Sequence, residues 1–397
     1  MRYATPILVF IVIFTTDIAT ADELKQIVAK PLTKLFETKN RIENFRHVER
    51  FFPVKSIRRG KSVFRFKESH QTLNNTYRFD RSVRNVKQFL ERTVTTGLLI
   101  VKDDVIVAER YHHGNTRDSL NTSMSVAKSL ISALVGIAID EGHIVGVNET
   151  VTRYLPELKG TAYAGVPIKH VLQMSSGVLF SEEYADADSD FNRLFCKLAR
   201  GQRLDEYVAR LRKDRPSGKA FHYASIDTQV LAMLVERTSK QELATYIEEK
   251  LWKPLGMEAN ATWCTDNYGN QIAFVLFNST LRDYAKFGRL YLRGGDWNGR
   301  RIVSKSWVEQ SVHPDRADLL LKDHYGPGWD IGYQYQWWVP KGDDGEFVAI
   351  GIWGQYLYVN PKHRIVIVKT SVDPEFDERD RETIAVFRAI TAHLQTN

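Results

Sequence analysis

Strand-like sequence lies near both ends of this chain, and mainly helix-patterned sequence fills the span between. Gly97-Leu98-Leu99-Ile100-Val101 and Val105-Ile106-Val107-Ala108-Glu109 flank the polar Lys102-Asp103-Asp104, which predicts a β-hairpin with a short turn. Much later, Tyr333 to Pro340, Glu346 to Trp353, Tyr356 to Asn360 and Arg364 to Ser371 are strand-like and separated by short turns, which predicts an antiparallel meander. A hairpin needs partner strands, and the meander is the only later run of them. One sheet must therefore draw on both ends of the chain, with the helical block inserted between its parts. A closing helix, Arg381 to Gln395, places Ile384, Phe387 and Leu394 on one stripe. The expected fold class is α/β (α+β): an antiparallel sheet flanked by helices, with an inserted, mainly helical domain.

The first residues have the form of a processing signal. Arg2 gives a short basic start, Pro6 to Phe14 an apolar core, and Ala19-Thr20-Ala21 a small-residue cleavage site. The apolar run is too short to span a bilayer, and no stop-transfer pattern follows. Residues 1–21 are thus expected to be a signal peptide, and the mature chain an exported protein, periplasmic or secreted, with no stable membrane span. The remainder divides into an N-terminal part of the α/β domain (22–115), the helical insert (116–286) and the C-terminal part with the meander (287–397).

Hydrophobic and charged shares of 43% and 26% are those of an ordinary globular protein. The net charge of +7 favours anionic surfaces, but no basic helix or aromatic-basic patch argues for a nucleic-acid partner. The two cysteines, Cys196 and Cys264, are too few for a disulfide scaffold and lie in no metal-ligand spacing; whether they pair is open. Asp186-Ala187-Asp188-Ser189-Asp190 starts like a calcium loop, yet Phe191 and Lys197 stand where Gly and Glu are needed. Gly326-Pro327-Gly328-Trp329-Asp330-Ile331-Gly332 fails the glycine spacing of a phosphate loop. No metal and no organic cofactor is expected.

The chemistry concentrates at Ser125-Val126-Ala127-Lys128, the sole Ser-x-x-Lys of the 397 residues, which opens the apolar run Leu130 to Ile139. Three residues is nearly one helical turn, so Ser125 and Lys128 would share a face. Burial against the apolar run disfavours the ammonium form, leaving Lys128 able to take the serine proton. Tyr223-Ala224-Ser225 comes next, directly before a helix expected to be capped by Asp227. A phenol whose pKa is lowered by a neighbouring ammonium can shuttle protons, and Ser225 would hydrogen-bond Lys128. Tyr268-Gly269-Asn270 and Tyr358-Val359-Asn360 match the same pattern, but one lies in a turn-like stretch and the other mid-strand. Finally, in Gly351-Ile352-Trp353-Gly354-Gln355, Gly354 would let a substrate carbonyl approach the backbone. The N–H groups of Ser125 and Gln355 would then form an oxyanion hole. His222 beside Tyr223 invites a Ser-His-Asp reading, but no Gly-x-Ser-x-Gly elbow exists to hold it.

Taken together the chain resembles the serine hydrolases of the penicillin-recognising, class C β-lactamase-like fold, and within them the branch of 6-aminohexanoate-dimer hydrolases and carboxylesterases. The resemblance runs from about Phe45 to His393. It is carried by Ser125-Val126-Ala127-Lys128-Ser129, His170 to Gly177, Phe221 to Thr228, Pro254-Leu255-Gly256-Met257, Leu281 to Gly288, Trp297 to Arg300 and Tyr335-Gln336-Trp337-Trp338. It implies a β-lactamase/transpeptidase-like fold, with Ser125 as nucleophile, Lys128 as base, Tyr223 as proton shuttle and Ser225 in support. It further implies that the segment after Gly177 walls the site, where Tyr184 would touch substrate; Trp353 and Gly354, at the strand end, are further substrate-binding candidates. One departure stands out: where penicillin-binding enzymes carry Lys-Thr-Gly on the site strand, this chain has Ile352-Trp353-Gly354, with no cation. Lys369-Thr370-Ser371 looks similar but falls on the next strand.

The reading that follows is a serine hydrolase acting on a small-molecule ester or amide. A D,D-peptidase or β-lactamase acting on cell-wall peptides, and a catalytically silent binding protein, are the alternatives. The sequence leaves the acyl group and the oligomeric state open.

Overall fold

The computed structural model describes residues 34–73, 76–322, 324 and 329–395. The expected signal peptide and Gly326-Pro327-Gly328 lie outside them.

The main sheet has nine strands: β1 (Lys67–Glu68), β2 (Thr95–Lys102), β3 (Val105–Tyr111), β4 (Leu320–Leu321), β5 (Ile331–Gln334), β6 (Trp337–Pro340), β7 (Phe347–Gly351), β8 (Gln355–Asn360) and β9 (Ile365–Ser371). Their spatial order is β4-β5-β6-β7-β8-β9-β2-β3-β1. The hairpin and the meander meet at β9 and β2, which run antiparallel with Ile367 opposite Ile100. Asp103 and Asp104, at φ 52° and 64°, make the two-residue turn between β2 and β3, a conformation short polar side chains tolerate.

The expected strand Tyr333 to Pro340 is in fact two. Tyr335 and Gln336 turn at φ 36° and 67°, and Gln334 pairs with Trp337 across the hairpin. The tip is held by the helical block: the Gln336 carbonyl accepts a 2.7 Å hydrogen bond from the Ser129 hydroxyl, and its side-chain amide donates to the Leu172 carbonyl at 2.9 Å. Those partners are distant in sequence, so strand periodicity alone runs straight through the turn.

Four helices position the site: α1 (Ala127–Asp140), α2 (Ser225–Ser239), α3 (Leu281–Leu292) and α4 (Phe376–His393). α1 is buried from Ala127 to Ala138, and a Cβ on its Gly136 would lie 2.5 Å from the Trp307 ring, so only glycine admits that contact. Gly142, at φ 74°, ends the turn after it. α3 runs through residue 286, where a domain boundary was expected, and its Gly288 lies against Val366 and Leu357 of the sheet. Side chains of the sheet alternate between two cores: Leu99, Val101, Val366 and Val368 belong to the one that includes α1 and α3, while Leu98, Ile100, Ile365 and Ile367 pack with Ile384 and Phe387 of α4 and with Leu394 just beyond it. A second, four-stranded sheet joins Val54–Ile57, Ala261–Cys264, Phe277–Ser279 and Asn121–Thr122, and its last strand delivers the chain to Ser125. Cys196 and Cys264 are free thiols. Among the described residues no helix is long and apolar enough to cross a membrane.

Candidate active site

Ser125 sits in a single 3₁₀ turn, Met124–Val126, that leads directly into α1. The residue before it, Met124, is held at φ 44°, a left-handed conformation that costs a side chain with a Cβ about 1 kcal/mol or more. Packing around it is tight: a Cβ on Gly351 of β7 would come within 2.6 Å of the Ser123 carbonyl and 2.9 Å of the Ser125 nitrogen. Strand β7 therefore runs close against the backbone of Ser125.

One turn along, the Lys128 Nζ lies 2.8 Å from the Ser125 hydroxyl oxygen and donates to the Phe274 carbonyl at 3.0 Å. Lys128 is 1% exposed. Burial pushes its pKa down from the usual lysine range to about 7, against a smaller upward pull from the Glu182 carboxylate. The ammonium nitrogen is also 5.1 Å from the centre of the Tyr223 ring.

Tyr223 precedes α2 and stacks on Trp338, with ring centres 5.8 Å apart. Its phenol shifts opposite to expectation. Desolvation and the Glu182 carboxylate push the pKa up, outweighing a hydrogen bond with Ser125 that lowers it, so Tyr223 stays protonated at neutral pH. The expected lowering needs a full ammonium beside the phenol, and a lysine with a pKa of about 7 supplies only part of that charge.

Ser225 is not bonded to Lys128. Its hydroxyl and its N–H both donate to the Glu182 carboxylate. Glu182, from the wall segment, thereby caps α2 from outside the helix, satisfying an N–H that has no partner within it. Asp227 does not cap it: it is buried in the first turn and accepts from the Tyr163 hydroxyl at 2.8 Å. Desolvation raises the Glu182 pKa, and Lys128 and the Ser225 and Tyr184 hydrogen bonds pull it back. No motif marks Glu182 in the sequence, because its role depends on a fold-back of the segment after Gly177.

Ser125, Tyr223, Glu182 and Tyr184 line one cavity of about 190 Å³, together with His324, Trp338, Ile350, Ile352, Phe376, Asp377 and Asp380. Tyr184 is thus at the site, its hydroxyl donating to Glu182 at 3.1 Å. Gln355 does not line this cavity. It pairs with Gly351 across the β7–β8 hairpin, and its side-chain amide donates back to the Trp353 carbonyl at 3.1 Å. Ile352, one residue past β7, faces the cavity instead. Gly354 is turned away: at φ 79°, its Cβ position lies 2.3 Å from the Ser371 hydroxyl. The Trp353 ring stacks on Phe36 at 5.5 Å and lies under the Arg41 guanidinium. The three-residue turn between Gly351 and Gln355 changes which side each residue faces, so Ile352 rather than Gly354 or Gln355 reaches the cavity. Tyr268 is 57% exposed on the surface, and Tyr358 is buried with its hydroxyl on Glu346. His222 bonds the Phe180 carbonyl at 2.8 Å.

A family model described as beta-lactamase matches residues 83–389. The 6-aminohexanoate-dimer hydrolase of Paenarthrobacter ureafaciens is 34% identical over 303 residues, covering 74% of this chain and 77% of its own. A structure provisionally named a 6-aminohexanoate-dimer hydrolase, from Bacillus anthracis, superposes with a TM-score of 0.81 at 25% identity, over 91% of this chain and 96% of that one. A family VIII carboxylesterase shares the fold at a TM-score of 0.58 and 16% identity, over 75% of this chain and 92% of that one. The chain belongs to the beta-lactamase family, as one of its serine hydrolases.

Proposed function

We propose that the protein hydrolyses an ester or amide of a small molecule through an acyl-enzyme on Ser125. The observation that carries this reading is the 2.8 Å contact between Ser125 and a lysine whose pKa burial lowers to about 7. Neutral Lys128 takes the Ser125 proton as the oxygen attacks the carbonyl carbon. The oxyanion forms against the Ser125 N–H and, in place of the Gln355 N–H, the N–H of Ile352, which follows the strand packed on Ser125. The protonated Tyr223 phenol gives its proton to the leaving group and is reprotonated from Lys128. Water then enters, and the same groups work in reverse to release the acid.

The cavity bears on the substrate as well. Its charged lining is Glu182, Asp377 and Asp380, all acidic, with no cation at Ile352-Trp353-Gly354 to hold a substrate carboxylate. That favours neutral or cationic esters and amides over penicillin-like anions. The test is intact-protein mass spectrometry of wild type and Ser125→Ala with short p-nitrophenyl esters, 6-aminohexanoate dimer and a penicillin. An acyl adduct on wild type alone is expected; turnover by Ser125→Ala, or no adduct and no product from wild type, overturns the reading.

A further inference from the structure

Lys369 is a second buried lysine, and the mechanism above does not use it. It lies on β9, is 1% exposed, and sits 5.7 Å from the Phe89 ring centre and 5.5 Å from that of Tyr356. Burying an amine among rings is costly unless its hydrogen bonds are placed. Here one is: Nζ donates to the Ser371 hydroxyl at 2.9 Å. That hydroxyl in turn contacts the carbonyl oxygens of Trp353 at 2.9 Å and Gly354 at 2.7 Å. The Trp353 carbonyl also accepts from the Asp373 N–H at 3.1 Å and from the Gln355 side chain at 3.1 Å. The charged groups acting on Lys369 are Asp373 and Asp380 in its favour and Arg92 against it. Asp380 also lines the catalytic cavity.

The tip these bonds grip is conformationally demanding. Trp353 and Gly354 are both left-handed, at φ 64° and 79°, and a non-glycine residue in that region persists only where its surroundings hold it. The residue immediately before them is Ile352, which faces the cavity. A Cβ on Gly351, one further back, would lie 2.9 Å from the Ser125 nitrogen.

We propose that Lys369 and Ser371 are positioning residues for acyl transfer: their donor chain pins the Trp353–Gly354 tip and so fixes the Ile352 N–H beside that of Ser125. The inference rests on the serine acyl-enzyme reading. Neither residue touches substrate. Oxyanion donors act only at about 2.7–3.1 Å from the developing charge, so a loosened tip lowers the rate before it lowers binding.

The experiment compares wild type, Ser371→Ala, Ser371→Thr and Lys369→Met on a p-nitrophenyl ester, reading kcat, KM, melting temperature and the affinity of an alkyl boronic acid that forms a tetrahedral Ser125 adduct. Ser371→Ala is expected to lose about tenfold or more in kcat, with KM within about twofold, and to bind the boronate correspondingly less tightly. Ser371→Thr, which keeps the hydroxyl, should recover most of the loss. Wild-type kcat and boronate affinity in folded Ser371→Ala would overturn the proposal, as would a lowered melting temperature with no change in kcat. If Ser371→Ala does not fold, Lys369→Met is judged by the same criteria, and failure of both to fold makes the pair purely structural and ends the proposal. Absence of any wild-type Ser125 adduct would instead remove the acyl-enzyme reading beneath it.

Discussion

The Lys128 amine points at two oxygens at once, the Ser125 hydroxyl at 2.8 Å and the Phe274 carbonyl at 3.0 Å. The carbonyl holds the amine in place without stabilising a charge as a carboxylate would. The side chain is therefore oriented yet easily left neutral, which is what a base at neutral pH requires.

The pH profile follows from that arrangement. In the proposed mechanism Lys128 acts deprotonated, and its pKa lies at about 7, so kcat/KM for a neutral ester should rise with pH through a midpoint near that value and level off above it. Lys128→Met should abolish that limb and cost roughly 10³-fold or more in kcat, given the non-additive loss when such dyads are broken. A profile that is flat from pH 5 to 9 in wild type would contradict the assignment of Lys128 as base.

Glu182 should tune that midpoint. Its carboxylate raises the Lys128 pKa, so Glu182→Gln is expected to move the acid limb to lower pH. The sign is the informative part: an upward movement would mean that loosening of the Ser225 contact, rather than loss of charge, dominates the variant.

Tyr223→Phe keeps the ring on Trp338 and removes only the hydroxyl. A fall of roughly 10²–10⁴-fold in kcat is expected, with little change in melting temperature. Tyr268→Phe, on the exposed side of the molecule, should leave kcat within about twofold, as surface changes usually do. Equal effects of the two substitutions would remove Tyr223 from the mechanism.

Gly351→Ala tests the contact between β7 and the backbone around Ser125. The added Cβ meets the Ser123 carbonyl at 2.6 Å, a backbone atom that cannot swing aside. Overpacking of this kind costs about 1–3 kcal/mol of stability, and here it should also displace Ser125. Thermal melting together with the rate of Ser125 acylation measures both; a variant with unaltered stability and acylation would show that the strand can retreat.

The acidic lining gives a charge prediction. An ester bearing a carboxylate near the scissile bond should be a poorer substrate than its neutral analogue, by about twofold to tenfold in kcat/KM at low salt, and Asp377→Asn should narrow the gap. Asp377 is the exposed one of the three acids, and its pKa is raised by desolvation and by neighbouring Glu183 and Glu378. A preference for the anionic ester would reverse the reading of the cavity.

Much of the arrangement is local, and therefore legible from the chain. The Ser125–Lys128 contact spans one helical turn, so spacing alone brings the two together. The β2–β3 hairpin is announced by two aspartates between apolar runs, and the need of that hairpin for partner strands points to the meander across more than two hundred residues. Tyr223 was selectable because it directly precedes a helix while its rivals lie in a turn and a strand.

What the tertiary structure decided is everything that depends on residues brought together from afar. Glu182 reaches Ser225 only because the segment after Gly177 folds back onto the start of α2; Ser225 consequently serves Glu182 rather than Lys128. The tip of the β7–β8 hairpin presents Ile352 to the cavity and commits Gln355 and Gly354 elsewhere, since a tight turn inverts the alternation that holds along a strand. Desolvation likewise has no signature in sequence: the same burial that lowers Lys128 raises Tyr223, because water is withdrawn from an ammonium in one case and from a phenolate in the other.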